Sequence, residues 1–148
     1  MDELRNHSLQ KRIVVVGHYG SGKTEFSLNL AFRLREQGEK VTIVDLDVVN
    51  PYFRTADAVK ELKAQGIRVI VPEYANTNVD VPALPPDIFA AFETEGTVIF
   101  DVGGDDDGAI VLGRFFSRFQ ETPYDMLGAV SYTHLDVYKR QEYGQRLL

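Results

Sequence analysis

Residues 17 to 24 read GHYGSGKT, and the spacing G-x-x-x-x-G-K-T constrains everything around it. A loop of this kind works between a buried strand and the start of a helix, where backbone N–H groups and the positive helix end converge on one anion. Both flanks are present. Ile13 to Val16 is a run of β-branched apolar residues, the pattern of a buried strand. Lys23 to Gln37 carries Phe26, Leu30, Ala31 and Leu34 on one helical face, and Gly38 stands where a left-handed, helix-ending residue is wanted.

The same alternation continues down the chain. Val41 to Val44 reads as a second strand, and Thr55 to Gln65 as a helix with Ala56, Val59 and Leu62 at three-residue spacing, ending at Gly66. Ile67 to Val71 is a third strand closed by Pro72. The polar stretch EYANTNVDVPALPP then leads to a short helix from about Asp87 to Glu93. Thr97 to Phe100 is a fourth strand. Ala109 to Phe119 is expected to be one helix, with Leu112, Phe115, Phe116 and Phe119 on its core face, and Tyr124 to Leu127 begins a fifth strand. Strands and helices that alternate in this way imply an α/β fold in three layers with a mostly parallel sheet.

At 148 residues the chain has the size of one domain, able to bury roughly 70% of its unfolded surface. Sixteen Lys and Arg stand against 22 Asp and Glu, a net charge of −6, which argues against a surface that neutralises nucleic acid. There is no cysteine, so disulfides, thiolate metal sites and thiol nucleophiles are excluded. Apolar runs fall far short of the roughly 20 residues of a membrane span, and MDELRNHSLQ lacks the basic start and apolar middle of a signal peptide. The expected location is the cytoplasm.

Physical chemistry assigns a task to each position of the cradle. Backbone N–H groups from Gly20 to Thr24 can converge on a β-phosphate, and Gly17, Gly20 and Gly22 let the backbone approach closely. Lys23 supplies a point charge to the β- and γ-phosphates, while the Thr24 hydroxyl is a hard oxygen ligand for Mg²⁺. Asp101 closes a hydrophobic strand, the place of a metal-holding carboxylate. DVGG, from Asp101 to Gly104, fits a switch whose Gly104 N–H reports the γ-phosphate. Asp45 and Asp47 close the second strand at the same edge of the sheet, where open α/β sheets bind ligands. Lying two apart, both are expected to face one site. The plain alternative is a glycine-rich turn that holds nothing.

Taken together, GHYGSGKT, DLD and DVGG in this order resemble the nucleotide-binding domain of the MinD/ParA group, in the SIMIBI class of P-loop NTPases, over roughly Lys11 to Leu127. VDLDVVNPYFR and DVGGDDDGA look closest to a bacterial set of ATP-binding proteins with a CobQ/CobB/MinD/ParA-type domain. The resemblance implies ATP and Mg²⁺ as ligands, with Gly104 and the loop from Gly17 through His18, Tyr19, Ser21 and Lys23 to Glu25 contacting nucleotide. It makes Thr24, Asp47 and Asp101 the metal-side residues and Asp101 the Walker B carboxylate. Lys23 and Asp47 become the catalytic pair, with Asp47 positioning the attacking water. ATP rather than GTP rests on the resemblance alone.

The family loop reads G-K-G-G-x-G-K-T, and its first lysine reaches a partner's nucleotide across a dimer. Here His18 and Tyr19 replace that lysine and the following glycine. A neutral imidazole carries no constant charge, so the family's lysine-dependent sandwich dimer does not carry over with this loop, and a nucleotide-dependent homodimer is an expectation from the resemblance alone. His18 reads either as a hydrogen-bonding substitute or as a loop residue with local contacts only. In the run from Asp105 to Asp107, one aspartate caps the next helix and the others are solvated, or one joins the metal shell or a partner contact. Arg54 touches phosphate or covers the surface.

Three functional readings follow. The first is a Mg²⁺-dependent ATPase switch acting on a protein partner. The second is a small-molecule kinase or ATP-dependent ligase of the dethiobiotin-synthetase type, with YANTNVDVPALPP binding the acceptor. The third is a module that binds ATP only to fix a conformation.

From about Ala129 the pattern changes. SYTHLDVYKRQ resembles translated sequencing-adapter DNA, so the expectation is a lead over residues 1–10, a partial nucleotide-binding domain over 11–128 and a non-native tail over 129–148. No element is assigned to that tail, an ordinary C-terminal helix being the alternative. The fifth strand is expected to be cut short, with an open edge.

Overall fold

The computed structural model describes residues 9–17, 20–47, 53, 56–71, 86–104, 106–114, 116–129 and 137–142. In chain order the elements are β1 Arg12–Gly17, α1 Lys23–Glu36, β2 Val41–Asp45, α2 Ala56–Ala64, β3 Arg68–Ile70 and α3 Pro86–Ala91. They continue with β4 Thr97–Gly103, α4 Asp106–Arg114, α5 Phe116–Glu121, β5 Asp125–Ala129 and β6 Val137–Glu142. The strands form one sheet in the order β3-β2-β4-β1-β5-β6. β1 to β5 are mutually parallel and β6 runs antiparallel to β5. The fold is α/β.

Side-chain alternation along the strands divides the core between the two faces of the sheet. Ile13, Val15, Ile43, Ile99 and Leu127 pack with Phe26, Leu30 and Ala31 of α1 and Leu62 of α2. Their neighbours Val14, Val44, Val98, Phe100 and Val102 pack on the opposite side with Ile88 and Ala91 of α3, Val111 of α4 and Phe119 of α5. That gives three layers. β4 and β1 lie side by side in the middle, so the loops that follow them meet at the sheet's carboxyl edge. Among the described residues no helix is long and apolar enough to cross a membrane.

Three expectations need correction. β4 does not stop at Phe100 but runs to Gly103, because Asp101, Val102 and Gly103 continue the parallel pairing with Val15, Val16 and Gly17. The helix expected over Ala109 to Phe119 is two elements, α4 and α5. Gly113 lies near their junction, where glycine costs a helix about 1 kcal/mol relative to alanine. Phe115 lies outside the described residues. Finally, Val137–Glu142 is a strand and neither a helix nor unassigned chain. It covers the edge of β5 that was expected to stay open, with an irregular register between Leu127 and Ala129. An unpaired edge offers a row of N–H and C=O groups to any extended segment within reach. The long loop 73–86 lies outside the described residues apart from Pro86, and Arg54 and Asp105 do so too.

A buried arginine ties β1 to the turn before β4. Arg12 is 8% exposed. Its Nε and Nη2 donate to the Phe92 carbonyl at 3.0 and 2.7 Å, Nη2 to that of Thr94 at 2.7 Å, and Nη1 to that of Gly96 at 2.9 Å. Burial lowers its pKa from the ordinary arginine value. Arg12→Ala would leave these carbonyls short of donors, and urea unfolding is expected to show a loss of about 3 kcal/mol. Arg12→Lys, with a point charge in place of the planar fork, is expected to recover only part of it.

Candidate functional site

The site grows from the end of β1. A Cβ at Gly17 would lie 2.5 Å from Ser21 Oγ and 3.2 Å from the Ala129 carbonyl oxygen, so any side chain there would have to displace the Ser21 hydroxyl and press on β5. Gly20 and Gly22 have φ of 80° and 81°, in the region that favours glycine, and Gly22 is the N-cap of α1. The Phe26 N–H donates to the Gly22 carbonyl at 2.9 Å. The N–H groups of Lys23, Thr24 and Glu25 precede that first helical bond and have no place in the ladder. Among the described residues no side chain caps this end. Uncapped amides and the positive helix end together make an anion site. Thr24 is half-buried and Glu25 exposed, both in the first turn of α1. Gly104 is exposed just after β4. His18 and Tyr19 lie outside the described residues.

Lys23 turns inward. It is 5% exposed, and its Nζ donates to Asp47 Oδ2 at 2.9 Å and to Asp101 Oδ1 at 2.8 Å. The strands explain why these groups meet. Ile99 packs on the α1 face of the sheet, and Asp101, two residues further along β4, shares that face. Asp45 is paired in register with Asp101 across β2 and β4 and shares it as well. Asp47 lies beyond the end of β2. The Leu46 N–H donates to the Asp101 carbonyl at 2.8 Å, which holds the chain beside β4 just before Asp47.

Three carboxylates, those of Asp45, Asp47 and Asp101, are buried near the Lys23 ammonium. Burial by itself would lower the pKa of Lys23, but Asp101 and Asp47 outweigh it and hold the ammonium above its ordinary value. Burial raises the carboxyl of Asp101, against the pull of Lys23 and with a further push from Asp47. Asp45 is raised to about 7, first by burial and then by the Asp101 charge opposite it. Carboxylates gathered at one strand edge are the chemistry that favours a bound cation.

The residues present fit a magnesium ion. Asp101 Oδ2 is buried with no hydrogen-bond partner among the described residues, a cost that metal ligation or a metal-bound water would remove. Thr24 adds a hydroxyl in the first turn of α1, beside Lys23. Among the described residues no group of three or more His, Asp or Glu side chains could by itself hold a metal. Mg²⁺ commonly takes one or two carboxylates and completes its shell with water and substrate phosphates.

Sequence reasoning missed Ser27. It is fully buried and its hydroxyl lies 3.5 Å from Asp101 Oδ1. The signal was its place four residues after Lys23, on the same helical face. Ser21 was expected to contact the nucleotide. Its Oγ is buried with no partner among the described residues.

The family described as CobQ/CobB/MinD/ParA nucleotide binding domain matches residues 13–137, a span that contains every described residue of this cluster. The chain matches no curated protein and no solved structure.

Removing the ammonium tests the charge balance. Lys23→Met leaves buried carboxylates without their counter-charge, and urea unfolding at pH 7.5 is expected to show a loss of about 3 kcal/mol. The sign with pH follows. Without Lys23 the carboxyls of Asp101 and Asp45, which it holds down, rise further above their unfolded value, so the folded form takes up protons as pH falls. The deficit relative to wild type is expected to shrink between pH 7.5 and pH 5.

Proposed function

The chain belongs to the CobQ/CobB/MinD/ParA nucleotide-binding domain family, and from that premise we propose that it is a Mg²⁺-dependent ATPase that acts as a switch on a protein partner. The observation that carries this reading is the convergence of Lys23 on Asp47 and Asp101 at 2.9 and 2.8 Å, at the mouth of an uncapped helix.

Binding a triphosphate exchanges the partners of Lys23. Its ammonium gives up two carboxylates and donates to phosphate oxygens instead, while the N–H groups of the first turn of α1 donate to the remaining phosphate oxygens. Thr24, Asp47 and Asp101 are the residues that would hold Mg²⁺, which neutralises charge on the phosphate oxygens when bound. Asp47 then orients the water for in-line attack. Lys23 and the loop amides stabilise the charge that spreads over the transferred group. The exchange also supplies the switch, because the segment after β2, through Asp47, and the carboxyl end of β4, through Asp101, each lose a bond to Lys23 when nucleotide binds. A protein partner reads those two segments, and its action is timed by hydrolysis.

Asp47→Asn separates binding from chemistry. The variant is expected to lose about 100-fold in turnover, the usual scale for losing a group that handles the reacting water, and, with one metal-side carboxylate gone, to bind Mg·ATP up to about tenfold more weakly. Phosphate release and equilibrium ATP binding measure the two quantities. Equal turnover in variant and wild type would reject Asp47 as the water-positioning residue. ATP consumption that yields a phosphorylated small molecule and no free phosphate would reject the hydrolase reading in favour of a kinase.

A further inference from the structure

The ATPase reading uses Asp47 and Asp101 and leaves their neighbour Asp45 without a task. Asp45 is 3% exposed, and it commits one carboxylate oxygen to each of two backbone groups. Oδ1 accepts the N–H of Asp47 at 3.1 Å, and Oδ2 accepts the N–H of Phe53 at 3.3 Å. The first bond is an Asx turn, in which a side chain bonds the backbone two residues on and bends the chain where the strand ends. The second reaches eight positions along to a residue that is itself fully buried, packed with the α1 and α2 side of the core.

We propose that Asp45 is a positioning residue for the hydrolytic reaction: its carboxylate ties the backbone of Asp47 to that of Phe53 and so presents the Asp47 side chain to Lys23. The inference rests on the ATPase reading and adds to it the group that aims the water-orienting carboxylate. The chain is fixed on both sides of the bend. Leu46 donates to the carbonyl of Asp101 at 2.8 Å, Asp47 donates to Asp45, and the Asp47 side chain then meets Lys23 at 2.9 Å. Two consecutive N–H groups are therefore set before the carboxylate reaches the site. Carboxylate is the chemistry this task needs, since it offers an acceptor on each oxygen. An asparagine of nearly the same size keeps one acceptor and turns an NH₂ group against the second N–H.

The test has a structural arm and a kinetic arm, both on the full chain. Without nucleotide, the amide hydrogens of Asp47 and Phe53 are expected to exchange about 100-fold more slowly in wild type than in an unstructured chain. Asp45→Asn is expected to speed one or both about tenfold, the scale of one lost hydrogen bond to a charged group. With ATP, Asp45→Asn is expected to lower kcat about tenfold while KM stays within about threefold. In an Asp47→Asn background the same change is expected to cost nothing further, because Asp45 acts through Asp47. Should Asp45→Asn not fold, Asp45→Ser takes its place, and the wild-type exchange rates stand by themselves. Unprotected amides at 47 and 53 would overturn the proposal, as would an unchanged kcat or losses that multiply in the double variant. A wild-type protein with protected amides and no ATP turnover would keep the anchor and sink the hydrolase reading, so the two failures are distinguishable.

Discussion

A single ammonium group buried between two carboxylates is the interaction on which the site depends. Lys23 is held by strand ends that are not adjacent in sequence, Asp47 beyond β2 and Asp101 within β4. Its bonds join α1, β4 and the segment after β2 at one point. The sheet makes the meeting possible. β4 inserts between β1 and β2, which brings Asp101 next to both the loop after β1 and the end of β2. Breaking a buried ion cluster by removing one member costs several kcal/mol, yet the same cluster is poised to rearrange when a ligand offers each member a better partner. In the proposed reading, the stability of the cluster and its exchange onto a magnesium-bound triphosphate draw on the same charges.

Around that centre the rest of the fold is support. Val15 and Ile99 on one face and Val14 and Phe100 on the other keep the two central strands dry on both sides. Arg12 secures the start of β1 to the turn before β4. Because these two strands are fixed along their length in register, the loop after one and the DVGG segment of the other are held at one edge. The family match over residues 13–137 spans all of this framework.

Much of the arrangement was legible from residues. The run Ile13 to Val16, the loop spacing and the apolar face of α1 define a strand, cradle and helix by local pattern, and the α/β alternation follows from periodicity. The place of Asp101 near the end of a hydrophobic strand was legible in the apolar run before it, whereas its bond to Lys23 was not. What was not legible depends on partners distant in sequence. β4 runs past Phe100 because β1 offers pairing as far as Gly17, which no local propensity at Asp101 to Gly103 announces. Ser27 reads as an ordinary helix residue until Asp101 is placed beside it. The bonds of Asp45 to Asp47 and Phe53 show only in coordinates, since side-chain alternation describes a strand and stops applying where β2 ends. β6 depends on the edge of β5 more than on any pattern of its own.

The account stands on a magnesium-chelated triphosphate being the ligand of the Lys23, Asp47 and Asp101 cluster. Its most direct test is the calorimetric affinity of the full chain for ATP with Mg²⁺ and with the metal removed by chelator. An ion shared by the phosphates and the carboxylates of Asp47 and Asp101 predicts that binding with Mg²⁺ is at least about tenfold tighter, since without it like charges would face one another. Equal affinity in both conditions, or tighter binding of the metal-free nucleotide, would contradict it.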